Sequence, residues 1–260
     1  MESAVDYWTA KALLDWQVEM GADEAICDAP VDRYTLQDKP KVTAKPAAAA
    51  QTPPEVPTAP EVDAVQIAKD AASAAQDLDG LRAAMMAFEH CDLKAAARNF
   101  IFSGGTAGSS VMIITDAPDR EDDRSGTLLS GRVGALFDKM IGAIGLSREG
   151  EASVYLAPVV PWNPPQNREP NAPELDMMRP FLTRHIELAA PKLLVLMGNG
   201  PCQALLGRSG MTRLRGTWIE AAGLPALPMF APAHLMSAPM AKRDAWADLL
   251  DLKSRLKGLT

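Results

Sequence analysis

The chain has 260 residues, 47% of them hydrophobic and 23% charged, enough for one well-buried domain plus appendages. A net charge of −7 argues against a polybasic nucleic-acid footprint over the whole chain, and the longest apolar runs, such as Leu193–Met197, are far too short to cross a bilayer. Three scattered cysteines, Cys27, Cys91 and Cys202, form no disulfide framework, and the first residues lack the basic start and apolar core of a signal peptide, so the expected compartment is a reducing cytoplasm.

The acidity is uneven. Residues 1–99 carry 9 Lys+Arg against 17 Asp+Glu, net −8, while residues 100–260 carry 17 against 16, net +1. A neutral domain can still bind DNA if its basic residues converge on one face. Residues 1–28 read as an amphipathic helix with Tyr7, Ala10, Leu13, Leu14, Trp16, Gln17 and Met20 on one stripe and Gly21 as a stop. Residues 29–62 hold seven prolines among alanines and read as a semi-extended linker. The helix before it is either an amphipathic tail or a docking helix for a protein partner. Residues 63–99 return to helical periodicity as a lead-in, with Val65, Ile67, Ala68, Leu78, Leu81, Met85 and Phe88 among the apolar positions.

Alternation begins near residue 110. Strands are expected over 111–114, 153–156, 192–197 and 224–230, and helices over 131–144, 171–190, 201–206 and 239–257. The third of these strands is apolar throughout its middle. Asn171, with Glu174 three residues on, has the spacing of a capping box. Alternating strands and helices predict an α/β domain over 100–260: a three-layer α/β/α sandwich on a mainly parallel, four-stranded sheet. Ligands of such sheets bind beyond the carboxyl ends of the strands. Three motifs begin there: Thr115-Asp116-Ala117-Pro118-Asp119, Asn163-Pro164-Pro165-Gln166-Asn167-Arg168 and Phe230-Ala231-Pro232-Ala233-His234-Leu235.

In that order and at that spacing the motifs resemble the active-site skeleton of the uracil-DNA glycosylase superfamily, most of all its bacterial family-4 type. Gly131-Arg132-Val133-Gly134, Arg179-Pro180-Phe181-Leu182, Met197-Gly198, Thr212-Arg213-Leu214-Arg215-Gly216 and Lys242-Arg243-Asp244-Ala245-Trp246 follow in family order. The resemblance implies N-glycosidic cleavage of a base flipped out of DNA into a pocket. Such a pocket uses an aromatic ring to stack on uracil, an asparagine to read its polar edge, a carboxylate to orient water, and a histidine to stabilise charge on the departing base.

Against that pattern, Asp116 stands at the carboxylate position, Leu129 at the aromatic, Pro158 at the asparagine and Ala231 at the histidine. Ala117 and Pro118 complete the expected substrate-binding set. His234, three residues beyond Ala231, is read either as a displaced catalytic donor, if the segment turns helically, or as a packing residue at the pocket rim. Asn167 and Arg168 on a proline-stiffened loop, and Arg213 and Arg215 on one side of an expected strand, are candidate contacts to the DNA backbone.

Family-4 members usually carry an iron–sulfur cluster on four thiolates. Here only Cys91 matches; the other three positions hold Lys94, Trp162 and Met178, so no cluster and no metal is expected. The chain is expected to be a monomer that binds single- or double-stranded DNA. Three functions stay open: a base-excision glycosylase with weakened or altered specificity, a degenerate DNA- or protein-binding member of the same fold, and a hydrolase of small nucleotides or nucleosides on that fold.

Overall fold

The computed structural model describes residues 63–258, together with Lys11, Leu13 and Trp16, which are helical. The remainder of the expected helix over 1–28 and the whole linker over 29–62 lie outside the described residues. Residues 60–260 form one compact unit, distinct from residues 1–59.

Helices α1 (Ala64–Ala74) and α2 (Leu78–Ala87) open the described chain. Asp63 and Asp77 cap them by accepting from the backbone N–H of Gln66 and Gly80. A short turn of helix, α3 (Leu93–Ala96), precedes strands β1 (Gly104–Gly105) and β2 (Val111–Thr115). Then come α4 (Arg120–Ser125), α5 (Gly131–Ala143), β3 (Val154–Pro158), α6 (Ala172–Ala189), β4 (Leu193–Met197), α7 (Asn199–Leu206) and α8 (Met211–Leu214). Strands β5 (Ile219–Ala221) and β6 (Leu224–Met229), α9 (Pro232–Ser237) and α10 (Lys242–Lys257) complete the unit.

The sheet has six strands in the order β1-β3-β2-β4-β6-β5. The four strands read from the sequence, β2, β3, β4 and β6, form its parallel centre. The expected four-stranded count is corrected by two short antiparallel edges, β1 on β3 and β5 on β6. Neither carries a readable signal. One is a pair of glycines, and the other is three residues joined to β6 through Ala222 and Gly223, both at positive φ, as in a tight hairpin turn.

Every residue of β2, β3 and β4 is buried, as expected for parallel strands covered on both faces. β3 and β4 flank β2 on opposite sides, so the crossovers through α5 and α6 run in opposite directions and place these helices on opposite faces of the sheet. α6 packs with α1, α2 and α7, and α5 with α9 and α10. The lead-in over 63–99 is thus part of this unit: Ala68 and Ala72 of α1 are buried, and the Arg184 guanidinium of α6 donates to the Ala75 carbonyl.

The strand ends are level. Thr115 pairs with Pro158 on one side and Met197 on the other, and Met197 pairs with Met229. The loops that leave these ends start from one rim. Among the described residues no helix is long and apolar enough to cross a membrane.

Candidate active site

Asp116 is the first residue past the end of β2. Its Oδ1 accepts a 2.8 Å hydrogen bond from the backbone N–H of Gly200, in the first turn of α7. Its Oδ2 has no protein partner. No fully buried side-chain oxygen or nitrogen of the described residues lacks one, so Oδ2 keeps some contact with solvent. Burial pushes the Asp116 carboxyl up to about 6, with the nearby charge of Glu169 acting in the same direction and the Gly200 N–H against it.

The turn at 198–200 fits this carboxylate closely. Gly198 sits at φ +117°, and a Cβ there would lie 2.0 Å from Asp116 Oδ2; a Cβ on Gly200 would lie 2.8 Å from Oδ1. Gly198→Ala is therefore expected to strain the turn by about 1–3 kcal/mol and to swing the carboxylate out of place. Thermal unfolding together with an activity assay checks both effects.

Two cavities share Asp116, Ala117 and Asp119 in their walls. One, about 80 Å³, is bounded by Leu128, Leu129, Val133, Met197 and Ala231. The other, about 130 Å³, is bounded by Pro118, Asn167, Arg168, Glu169 and Gln203. The structure thus gathers seven of the residues singled out in the sequence, Asp116, Ala117, Pro118, Leu129, Ala231, Asn167 and Arg168, into one cleft at the strand ends.

Four others do not line it. Pro158 is buried at the end of β3, opposite Thr115. His234 stacks on Phe230, ring centroids 4.7 Å apart. Ala231 is the extended N-cap of α9, which begins at Pro232, and His234, unlike Ala231, bounds neither cavity. Arg213 and Arg215 lie on and just after the helical turn α8, which corrects the strand expected there; residues two apart on a helix do not share a face. Arg213 is exposed. The Arg215 guanidinium is bound by the buried Asp248 carboxylate of α10 through bonds of 2.5 and 3.0 Å, and it also donates to the Asp244 carbonyl.

Arg168 is held as well. It forms a two-pronged pair with Glu174 at 2.8 and 2.5 Å, and this holds the Glu174 carboxyl below its usual range. Glu174 simultaneously closes the capping box with Asn171, as the sequence spacing predicted. A phosphate reaching Arg168 has to share it with Glu174. Asn167 adopts a positive φ, which asparagine tolerates, and accepts from the Asn163 amide.

Sequence reasoning missed the supports of Leu129. This residue is itself at φ +53°. Its N–H and that of Ser130 donate to the buried Asp122 carboxylate at 3.1 and 2.6 Å, and the Ser130 hydroxyl does so at 2.7 Å. Arg148, paired with Asp138, donates to the Leu128 and Leu129 carbonyls, both at 2.7 Å. Asp122 sits in the charged run after the first motif, but its partners lie seven and eight residues on and Arg148 beyond another helix, so spacing gave no signal. The Gly198-x-Gly200 pair after a strand did offer one, since paired glycines mark a close backbone approach.

The family model described as the uracil DNA glycosylase superfamily matches residues 102–250, which take in all six strands of the sheet and every wall of the cleft. The chain belongs to the uracil DNA glycosylase superfamily. It is 25% identical over 182 residues to a type-4 uracil-DNA glycosylase of Archaeoglobus fulgidus, covering 66% of this chain and 90% of that protein. Type-4 uracil-DNA glycosylases of Saccharolobus solfataricus (28% over 178 residues, 65% and 81%) and Thermotoga maritima (28% over 149 residues, 56% and 76%) are similarly related.

The four positions of the family's iron–sulfur cluster do not fit one here. Cys91 is a buried thiol whose pKa burial pushes up. Lys94 donates its ammonium to the Met86 and Phe88 carbonyls at 2.6 and 3.4 Å, Trp162 packs against Phe100, and Met178 is buried in α6. One thiol, an ammonium, an indole and a thioether do not supply four thiolates.

Proposed function

We propose that this protein is a base-excision glycosylase: it hydrolyses the N-glycosidic bond of a damaged base flipped out of DNA. One observation carries this reading. Asp116 is anchored through one oxygen by the Gly200 N–H and presents the other to a cleft whose walls come from the loops at the strand ends.

A carboxylate so held orients a water molecule for attack on C1′ of the deoxyribose and opposes the positive charge that develops on the sugar. The turn at 198–200 fixes its direction before substrate arrives, so little reorganisation remains for the reaction itself. The left-handed turn around Leu129, pinned by Asp122 and Arg148, gives the base a fixed apolar wall. Leucine packs on a base without offering a π-face.

The test is to incubate the protein with single- and double-stranded oligonucleotides carrying uracil, hypoxanthine or xanthine and to score abasic sites. Release is expected to depend on ionised Asp116, so its rate falls about tenfold per pH unit below about pH 6 and is flat above it. Salt-sensitive DNA binding with no abasic sites at any pH would refute catalysis and leave a binding protein. Neither binding nor product would remove DNA as the substrate.

The same reading includes a metal-free protein. Trp162 and Met178 fill with packed apolar groups the volume where ligands would stand, and stoichiometric iron and acid-labile sulfide in anaerobically purified protein would contradict this. It also includes action as a monomer on DNA at the bacterial nucleoid, with the amphipathic segment over 1–28 available to a protein partner.

A further inference from the structure

The cleft is asymmetric in its chemistry, and that asymmetry bears on the charge of the base it releases. This inference rests on the glycosylase reading above and narrows its substrate. The walls around Asp116 are apolar, from Leu128, Leu129, Val133, Met197 and Ala231. The polar side chains on the same walls are Thr115 and three carboxylates.

The side-chain donors at this end of the cleft are already committed, as are several of its backbone N–H groups. The Thr115 hydroxyl donates to the Asp116 carbonyl at 3.1 Å. The N–H groups of Leu129 and Ser130 go to Asp122, and those of Glu121 and Asp122 go to Asp119. His234 is turned onto Phe230. Among the side chains at this end an acceptor remains unpartnered, Oδ2 of the half-buried Asp116. This end of the cleft therefore offers negative charge and apolar surface to a bound base and no free side-chain donor; Asn167, Arg168 and Gln203 stand in the adjoining cavity.

Expelling a neutral pyrimidine such as uracil puts negative charge on the leaving base, and a cavity without a free side-chain donor forfeits stabilisation that such charge needs. A purine alkylated at N3 or N7 behaves oppositely. It carries a positive charge while attached to the sugar, is attracted by nearby carboxylates, and departs neutral.

We propose that the preferred substrates are cationic N-alkylpurines in DNA. In the reaction a water oxygen bonds to C1′ and the C1′–N9 bond breaks. Both electrons of that bond go to N9, which neutralises the purine cation, and the proton lost by the water passes to Asp116 Oδ2 and then to solvent. The products are an abasic sugar, a neutral alkylpurine and one proton.

The experiment compares the full-length protein on two substrates at equal lesion concentration, with enzyme in excess: DNA treated with dimethyl sulfate, and a uracil-containing duplex. Released bases are quantified by mass spectrometry after subtraction of spontaneous loss. Release of 7-methylguanine or 3-methyladenine is expected to exceed uracil release by roughly a hundredfold, the usual worth of one missing donor to an anionic leaving group, and to vanish in Asp116→Asn. Uracil release with alkylpurines at background would overturn this inference and leave the glycosylase reading standing. Release of neither base, nor of hypoxanthine or xanthine, would overturn both. In Ala231→His, which restores a donor to the wall, the uracil-to-alkylpurine ratio should rise by about tenfold or more; an unchanged ratio would refute the charge argument.

Discussion

Replacing Asp116 by asparagine should abolish base release and at the same time stabilise the fold. Asparagine keeps the shape and an oxygen that can accept from Gly200, so the turn at 198–200 has the same partner. It cannot take a proton from water or oppose charge on the sugar, and a loss of roughly 10²–10⁴ in rate is expected. The stability gain follows from linkage. Burial raises the folded-state pKa of Asp116 from 3.8 to about 6, so the folded protein holds this proton more tightly than the unfolded chain does. Below about pH 3 the group is protonated in both states and imposes no penalty. As the pH rises from about 3 to 6 the unfolded chain ionises first, stability falls, and above about 6 the folded state bears a constant cost of about 3 kcal/mol. Asp116→Asn removes that cost. Urea unfolding should show the variant more stable by about 2–3 kcal/mol near pH 7.5 and equal to the parent near about pH 3. A variant no more stable at neutral pH would mean that Asp116 is solvated and its carboxylate is not held out of water.

The cleft was legible in the sequence where it is built from strand ends, because short apolar runs and the motifs after them share one chain order. Val111–Thr115 and Leu193–Met197 are apolar almost without interruption, and the residues that follow each must leave the sheet at its carboxyl edge. Asp116 and the Gly198–Gly200 turn meet for that reason. What spacing could not give is the state of each polar side chain. Arg168 and Arg215 look alike in the sequence, as basic residues beside family motifs. One is shared with a helix-capping glutamate six residues away, the other with an aspartate 33 residues away on another helix. His234 likewise depended on its ring contact with Phe230, which spacing does not show. Short elements such as β1 and β5 carry too few side chains to leave a pattern at all.

Arg215 yields the second large effect. Its guanidinium is the charge partner of Asp248, whose side chain is 2% exposed, and it lies 5.8 Å from the centre of the Phe230 ring that His234 also covers. Removing the arginine leaves a carboxylate buried and uncompensated, so Arg215→Ala should destabilise the protein by about 3–5 kcal/mol. Burial already pushes the Asp248 carboxyl up despite Arg215 beside it, and without the arginine it moves further in that direction. The folded variant then relieves the penalty by binding a proton, so the loss should be greater near pH 8 than near pH 5. Pairing the change with Asp248→Asn should recover much of it, because the neutral amide needs no counter-charge. A phosphate-contact role gives a different pattern: little change in unfolding free energy, and a salt dependence of DNA binding reduced by about one counterion. Urea denaturation at the two pH values, set beside a salt titration of oligonucleotide affinity, separates the two roles. The position of Arg215 against Phe230 links them physically, since loosening this corner frees the strand end from which Ala231 enters the cleft.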